Sequence, residues 1–290
     1  MSLPRFTATA DGTPTGPMRA AYERDGFLLI DGFKTPAQCD ALRARTRHLV
    51  NGFDPRSVAS VFEAGGGQKH AADTYFQESG DKIRFFFEKG AFDDAGHLVK
   101  DKHKALNKIG HAMHDLDLVF FDFCRDPRLA NLARGLGIAD PGLIQSMVIC
   151  KPPQIGGEVN CHQDATFLHS DPVSVTGFWF ALEDADEGNG CLMGLPGVQG
   201  QGLKEHFHYQ GDALVMDKLG EKDWDMAREV ALTAPKGTLV VLHGQAPHRS
   251  AANTSPRSRE AFALHVIDGA AKWSADNWLR RAPDMPVRGF

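Results

Sequence analysis

The sequence lacks both a long apolar run and a block of basic residues. A helix that spans a membrane needs about 20 consecutive apolar residues, and nucleic-acid-binding domains concentrate Lys and Arg on one surface. Here 37 acidic residues outnumber 32 basic ones, and the net charge is −5. We therefore expect neither a membrane nor a nucleic acid as a partner.

Cysteine is also scarce. The five cysteines are far apart and none belongs to a CxxC pair; they are Cys39, Cys124, Cys150, Cys161 and Cys191. This spacing suggests neither a disulfide framework nor a zinc ribbon. Unpaired thiols are typical of a reducing compartment, and the N-terminus lacks the charged and apolar regions of a signal peptide. A cytoplasmic location is expected.

The chain has 290 residues, of which 42% are hydrophobic, so it can bury a substantial core without disulfides or structural metals. We predict a single domain over residues 18–290, preceded by a poorly ordered leader at residues 1–17. Within the domain, we expect 18–140 to be a largely helical flank with added strands, 141–268 the β core and 269–290 a C-terminal tail. A monomer or weak dimer is expected.

The first half of the domain carries mainly helix signals. The segment Thr35–Gln38 combines an N-cap residue, a proline at the first helical position and a glutamine at the third, which predicts a helix to about Val50. Ala20–Phe33 predicts a short helix, a turn and a strand, and Phe85–Phe87 a further strand. Apolar residues at helical spacing predict a helix over Asn107–Arg134.

The second half reads as short strands separated by Gly and Pro clusters. The strand-like segments are Leu143–Lys151, Val175–Leu182, Gly237–His243 and Glu260–Ile267. Several short strands with turn residues between them predict a β-sandwich or barrel of the jelly-roll type.

A candidate metal site begins with His162 and Asp164. On a strand, residues two apart point to the same face. An imidazole and a carboxylate need one further imidazole to complete the facial triad that holds non-haem iron(II). Two histidines are available, His243 at the end of an apolar strand and His248 after a turn. We prefer His248 because of the residues that follow it.

Those residues form a strand that starts with a cation. Arg259, Ala261, Ala263 and His265 are predicted to point to one face, and the small alanines would leave room for a ligand. A dicarboxylate that chelates the metal at one end needs a buried partner for its distal carboxylate. A guanidinium can bind that carboxylate through two parallel hydrogen bonds, so Arg259 suits the task.

The combined pattern resembles the phytanoyl-CoA dioxygenase family of 2-oxoglutarate oxygenases. The resemblance rests on the His-x-Asp pair, the distal histidine, the arginine after it and several flanking segments, and it extends from about residue 20 to Trp278. The resembling segments are Ser79–Glu88, Leu106–His114, Gln145–Met147, Gly156–Leu168, Gly188–Cys191 and His243–Arg259.

The resemblance implies a fold that is mainly β with flanking helices, built on a double-stranded β-helix (jelly-roll, cupin-like) core. It implies Fe(II), 2-oxoglutarate and O2 as cofactor and co-substrates, with ascorbate as a possible activator. The implied reaction hydroxylates an aliphatic C–H bond of a small molecule or acyl-type substrate and releases succinate and CO2. Because Asp164 is present, hydroxylation is favoured over halogenation.

The resemblance also assigns residues. His162, Asp164 and His248 are implied as the metal ligands and catalytic centre. The residues implied at the 2-oxoglutarate site are Lys108, Met147, Trp179, Ser250, Arg259 and Gln145.

Other interpretations of these residues stay open. His162 and Asp164 would also fit an exposed turn, Trp179 and Met147 an ordinary core, and Lys108 a solvated helix. Two alternative functions are a cupin-type metalloenzyme that does not use 2-oxoglutarate, and a catalytically quiet module that binds metal or 2-oxoglutarate.

Four further histidines are interpreted as structural. His111 and His114 are expected to pack on the predicted helix, and His206 and His208 to lie in a solvated loop or strand edge. Residues 51–80 and 198–225 are the segments in which substrate-specifying loops are expected.

Overall fold

A computed structural model describes residues 2–55, 74–93 and 97–290. Its α-helices are α1 Gly16–Asp25, α2 Pro36–Gly52, α3 Thr74–Gln77, α4 Met113–Leu116, α5 Leu118–Cys124 and α6 Pro127–Gly135. Short 3-10 turns are Lys102–Lys104, Asp164–Thr166, Glu187–Asn189, Gln199–Gln201 and Met226–Arg228. None of these helices is long and apolar enough to cross a membrane.

The strands of the described residues are numbered in chain order. They are β1 Arg5–Thr7, β2 Phe27–Asp31, β3 Ile83–Phe87, β4 Leu106–His111, β5 Pro141–Ile149, β6 Val159–His162, β7 Ser170–Asp171, β8 Thr176–Ala181, β9 Leu192–Gly194, β10 Glu205–Gln210, β11 Ala213–Lys218, β12 Val230–Leu232, β13 Leu239–His243, β14 His248–Ser250, β15 Ala261–Asp268, β16 Lys272–Trp273 and β17 Arg288–Gly289.

Two sheets form the body of the fold. The larger has the order β1-β2-β13-β8-β15-β5-β4-β3, with β17 added on β5, and the smaller has the order β12-β9-β14-β6. Strands β10 and β11 form a separate hairpin, and β7 pairs with β16. The crossovers between non-consecutive strands are those of a jelly roll, so the predicted fold class is confirmed.

Alternation along the central strands separates two cores. On β15, Phe262, Leu264 and Val266 join the core that includes residues of α1, α2, α5 and α6. Ala261 and Ala263 point the other way, into the core shared with the small sheet. Because successive strand residues face opposite sides, one strand is covered by helices on one face and by the second sheet on the other.

The helix predicted after Thr35 is confirmed as α2. The Thr35 hydroxyl accepts a hydrogen bond from the Gln38 backbone N–H at 3.2 Å, and the Gln38 side chain accepts one from the Thr35 N–H at 2.9 Å. This reciprocal pair satisfies two backbone donors at the helix start. The predicted helix, turn and strand over Ala20–Phe33 correspond to α1, the left-handed Gly26 and β2.

The prediction of a poorly ordered leader was wrong. Arg5–Thr7 form β1, which runs parallel to β2 with Arg5 opposite Leu29. The Arg5 Nε donates to Asp31 Oδ2 at 2.8 Å, which ties the strand further. A polar segment can be ordered by backbone pairing at a sheet edge, and that pairing leaves no hydrophobic pattern in the sequence.

The prediction of a helix over Asn107–Arg134 was wrong for its first part. Leu106–His111 form β4, between β3 and β5, and the chain turns helical only at Met113. All six residues of β4 are buried. A strand buried on both faces has no two-residue alternation, so its apolar positions can match helical spacing by chance. Lys108 and His111 are therefore strand residues.

We expect Phe262→Ala to destabilise the fold by roughly 3–5 kcal/mol, the usual cost of truncating a buried Phe. Phe262 is fully buried and its ring contacts those of Phe120, Phe123 and Phe180. Urea unfolding measures the change. Leu118, which is 81% exposed, provides the control: Leu118→Ala should change stability by less than about 0.5 kcal/mol. Equal effects of the two substitutions would contradict this account of the core.

Candidate metal centre and co-substrate pocket

Two histidines meet because two strands of the small sheet pair. Strand β14 runs antiparallel to β6, and His248 lies directly opposite His162 in the register. Their ring centroids are 4.4 Å apart. Residues opposed across antiparallel strands have neighbouring side chains, so the backbone pairing brings together imidazoles that are far apart in sequence.

The carboxylate of Asp164 completes this group. Its Oδ1 lies 3.7 Å from Nε2 of His162 and 3.6 Å from Nε2 of His248. Asp164 was predicted to lie on the same strand as His162, but it begins the 3-10 turn after β6. The intervening Gln163 is still extended, with φ −111° and ψ 135°, so Asp164 nevertheless returns to the side of His162.

A glycine makes room for this carboxylate. A Cβ on Gly177 of β8 would lie 2.9 Å from Asp164 Oδ2. Atoms at that distance clash, so a larger residue would have to push the carboxylate away from the two imidazoles. Gly177 is therefore required here for close approach.

Hydrogen bonds fix which nitrogen of each imidazole faces the centre. Nδ1 of His162 lies 2.8 Å from the Asn160 carbonyl oxygen, and Nδ1 of His248 lies 3.1 Å from that of Ala246. A carbonyl only accepts, so each Nδ1 carries the proton and donates it. Both Nε2 atoms then present a lone pair toward Asp164, which is the usual arrangement of metal-binding histidines.

The charge states suit a cation. Burial lowers the pKa of His248 to about 4, so this imidazole is neutral near pH 7. Burial alone would raise the pKa of Asp164, but the adjacent imidazoles of His248, His265 and His162 hold it well below its ordinary value. Neutral imidazoles and an ionised carboxylate are the protonation states that metal binding requires.

The donor set fits a non-haem iron. One ligand atom from each of His162, Asp164 and His248 lies within 4.8 Å of the others. Two imidazoles and one carboxylate on one side of an ion form the facial triad that leaves open coordination positions for other ligands. Of the two histidines considered as third ligand, His248 belongs to this group. His243 instead accepts a hydrogen bond at Nδ1 from the Gln245 N–H at 3.1 Å.

The residues expected at the co-substrate site line the same cavity as the triad. The cavity has a volume of about 200 Å³. Its lining includes all six residues implied for 2-oxoglutarate, which are Lys108, Gln145, Met147, Trp179, Ser250 and Arg259. They come from β4, β5, β8, β14 and the residues just before β15.

Arg259 has an unsatisfied donor inside this cavity. The side chain is 1% exposed, and its Nε donates to the Gly190 carbonyl at 3.1 Å. Within the described residues, its Nη1 is buried and has no hydrogen-bond partner. Burial lowers the pKa of Arg259 to about 10, so it is still a cation near pH 7. A buried cation with an unpaired donor is costly unless an anion completes it, which fits a carboxylate ligand.

Lys108 is a second cation of the cavity. It is 8% exposed, and its Nζ lies 5.4 Å and 5.1 Å from the ring centroids of Phe76 and Phe86. Burial lowers the pKa of Lys108 to about 7. The interpretation of a solvated helix lysine is therefore wrong, because the side chain is buried on a strand.

His265, which was predicted only to share a strand face with Arg259, also contacts the candidate metal centre. Its Nε2 lies 3.4 Å from Asp164 Oδ2, and its Nδ1 has no partner among the described residues. It follows Arg259 at an even spacing on the same strand face, and this spacing was the sequence signal that could have identified it.

Lys151 was also missed in the sequence. Its Nζ donates to the carbonyls of Gly157 at 2.5 Å and Ala251 at 2.6 Å, and it thereby connects the chain before β6 to the chain after β14.

The remaining histidines lie elsewhere. His111 and His114 pack in the interior, as expected, although His111 lies on β4. His111 Nδ1 lies 2.8 Å from the Ser79 hydroxyl, and His114 Nδ1 lies 2.8 Å from that of Ser146. His206 and His208 lie on β10, in a second group of potential ligands with Asp276.

The fold and the donor set together define a jelly-roll protein with a candidate metal centre of two histidines and one carboxylate. The chain belongs to the phytanoyl-CoA dioxygenase (PhyH) family, whose sequence pattern matches residues 22–261.

Similar proteins are known from a plant and an animal. A phytanoyl-CoA dioxygenase of Arabidopsis thaliana is 41% identical over 262 residues, which is 90% of this chain and 92% of that protein. Phytanoyl-CoA dioxygenase domain-containing protein 1 of Danio rerio is 40% identical over 274 residues, or 91% of this chain and 94% of that protein.

Solved structures share the fold at low sequence identity. The non-heme alpha-ketoglutarate-dependent carbocyclase SnoK from nogalamycin biosynthesis has a TM-score of 0.65 and 18% identity, covering 98% of this chain and 97% of that one. EctD from S. alaskensis, solved with 2-oxoglutarate and 5-hydroxyectoine, has a TM-score of 0.63 and 18% identity, covering 96% and 87%.

We expect Gly177→Ala to weaken iron(II) binding on the order of 10- to 100-fold, the range seen when groups that orient metal ligands are lost. The added methyl would occupy the space of Asp164 Oδ2. Anaerobic calorimetric titration with Fe(II) measures the affinity. Gly52→Ala is the control, since a Cβ there meets nothing within 4 Å. Unchanged affinity in Gly177→Ala would show that the carboxylate does not need this space.

Proposed function

We propose that this protein is an Fe(II)- and 2-oxoglutarate-dependent dioxygenase that hydroxylates an aliphatic C–H bond of a small molecule or acyl-type substrate and releases succinate and CO2. One observation carries the proposal: the triad shares a cavity with a buried guanidinium whose Nη1 has no partner among the described residues. Family membership supports the same reaction class.

His162, Asp164 and His248 hold the iron in this proposal. Bound iron supplies the activation of O2 that is coupled to decarboxylation of 2-oxoglutarate. The protein's own task is to bind and orient the reactants and to keep water out. The neutral His248 imidazole and the ionised Asp164 carboxylate already have the protonation states that the ion requires.

The co-substrate residues have separate tasks. Arg259 binds the distal carboxylate of 2-oxoglutarate through its unpaired Nη1, and Ser250 donates its hydroxyl beside it. Lys108 neutralises a further carboxylate oxygen. Met147 and Trp179 form apolar walls, with the Trp179 ring 5.5 Å from the Arg259 guanidinium carbon, and Gln145 adds a polar group opposite His265 in the register.

The rest of the cavity is suited to an apolar part of the substrate. Aromatic side chains from four separate segments line it, namely Phe76, Phe167, Phe207 and Trp278. Phe207 and Met216, within the expected substrate-specifying segment 198–225, lie on the cavity wall. Of the other such segment, residues 56–73 lie outside the described residues. An apolar lining favours hydrocarbon substrate groups and excludes water from the reacting centre.

One of the two alternatives explains less of the structure, and the other is separated by turnover. A cupin-type metalloenzyme without 2-oxoglutarate would need the triad but gives no reason to bury Arg259 with an unpaired donor. A quiet binding module would keep every contact described above. Turnover separates it from the enzyme: iron(II), ascorbate, O2 and 2-oxoglutarate should yield succinate even without substrate.

Location and assembly belong to the same proposal. We propose a cytoplasmic protein, which is supported by five free cysteines, and a monomer or weak dimer. Its partner is a small-molecule substrate.

The direct test is a metabolite screen by mass spectrometry. Iron-loaded protein is incubated with a metabolite extract, 2-oxoglutarate and O2, and products are searched for a gain of one oxygen while succinate is quantified. The expected result is an oxygenated product formed together with succinate. Formation of neither succinate nor an oxygenated product by the iron-loaded protein would overturn the proposal.

Arg259→Ala should raise the KM for 2-oxoglutarate by roughly 30-fold or more, because losing one partner of a buried charge pair costs about 2 kcal/mol or more. Succinate release at varied 2-oxoglutarate concentration measures the change. Arg257→Ala is the matched control: Arg257 is exposed and pairs with Asp186 at 2.6 Å. If Arg259→Ala kept a wild-type KM, the distal carboxylate would have to bind elsewhere.

Lys108 should make 2-oxoglutarate binding depend on pH. Since the pKa of Lys108 is lowered to about 7, the amine is largely neutral above that pH before the co-substrate binds. The anion favours the ammonium form and raises its pKa, so binding takes up a proton and the affinity falls as pH rises above about 7.

Calorimetry in buffers of different ionisation enthalpy measures this proton uptake. Lys108→Met should abolish the Lys108 contribution, and Lys100→Met, at an exposed position, should leave it intact. The same proton uptake in Lys108→Met would assign the titration to another group.

A further inference from the structure

The hairpin of β10 and β11 has two different faces. Phe207 is 1% exposed and lines the cavity of the metal centre. Its neighbours His206 and His208 point to the opposite face, as strand alternation requires. Their rings are stacked, with centroids 4.4 Å apart and planes 11° apart.

Three further side chains, two carboxylates and one imidazole, lie next to His206 and His208. Nδ1 of His208 lies 3.2 Å from Asp276 Oδ2, and its Nε2 lies 2.9 Å from Asp217 Oδ2. The His169 ring lies 4.6 Å from that of His206. Ligand atoms of His206, His208 and Asp276 all lie within 4.8 Å of one another. This group shares no residue with the triad.

Two imidazole nitrogens of the group are left unsatisfied. His206 Nε2 and His169 Nδ1 are both buried from solvent, and neither has a hydrogen-bond partner within the described residues. A buried polar atom without a partner is costly, and in native proteins it often marks a missing ligand or ion. The two unsatisfied nitrogens therefore indicate a missing ligand, independently of how closely the side chains cluster.

We propose that His206, His208 and Asp276, with His169 beside them, form a second site that binds a divalent transition-metal ion of the Zn²⁺ class. Imidazole nitrogens and carboxylate oxygens are ligands that such ions prefer. Asp217 accepts from Nε2 of His208, which is the usual way in which a carboxylate orients a metal-binding imidazole. Nδ1 of His208 also lies 3.1 Å from the Tyr209 carbonyl oxygen, so an ion that binds there would displace the proton of this nitrogen.

The position of this site gives it a role at the cavity. Asp276 lies two residues before Trp278, which lines the cavity and stacks on Phe76 with centroids 4.5 Å apart. The Tyr209 N–H already donates to the Asp276 carbonyl at 2.7 Å. The ion would therefore cross-link the hairpin to the C-terminal segment and fix two walls of the cavity, Phe207 and Trp278.

Counting bound metal tests the site without using activity. The protein is dialysed to equilibrium against Zn²⁺, and Zn²⁺ per chain is determined by elemental analysis. The wild type should hold two ions. His206→Gln/His208→Gln should hold one, in the triad, and His162→Ala/His248→Ala should hold one, in the second site.

Two further variants control for folding and for surface histidines. Asp276→Asn keeps the size of a half-exposed side chain and should also lose the second ion. His97→Gln/His103→Gln removes two exposed histidines and should keep both. One ion in the wild type, or a second ion retained in His206→Gln/His208→Gln, would overturn this site. Failure of the proposed oxygenase would appear separately, as absent succinate.

Discussion

The pairing of β6 with β14 is the constraint on which the site depends. Register alone places His162 opposite His248, and the extended Gln163 then returns Asp164 to the same point. A shift of one residue would turn one imidazole to the other face of the small sheet. The buried Lys151 strengthens this pairing, because it donates to backbone carbonyls on both sides of it.

The larger sheet supplies the complementary half of the cavity. Two of its inward-facing positions near the candidate metal centre are small, with Gly177 beside Asp164 and Ala263 between Arg259 and His265. Opposite positions on the same strands, such as Phe178 and Phe262, are large and apolar. Because of this alternation, one face of each strand packs into the hydrophobic core that stabilises the fold, and the other face leaves space for a ligand.

Much of this arrangement could be predicted from the sequence. The small residues around Arg259 and the two-residue spacing of His162 and Asp164 predicted that these side chains share one site, and the cavity contains all of them. Local patterns sufficed because each group lies at a strand end or on an alternating strand. The roles of these residues as ligands stay a prediction.

Other features could not be read from local patterns. The sequence of β4 resembles that of a helix, because its apolar residues lie on both faces of the strand and show no two-residue alternation. Strand β1 is held by backbone pairing, which its side chains do not reveal. Phe76, Phe207 and Trp278 converge from distant segments, so only the tertiary fold identifies them as cavity walls. His265 was ambiguous because a histidine on a buried strand face is more often a packing residue than a neighbour of a metal ligand.

Anaerobic absorption spectroscopy tests the central claim most directly. A 2-oxoglutarate molecule that chelates ferrous iron in the triad produces a charge-transfer band in the visible range. We predict this band when Fe(II) and 2-oxoglutarate are both added to the wild type, and its loss in His248→Ala. A wild-type protein that shows no band with both present, or an undiminished band in His248→Ala, would contradict the account.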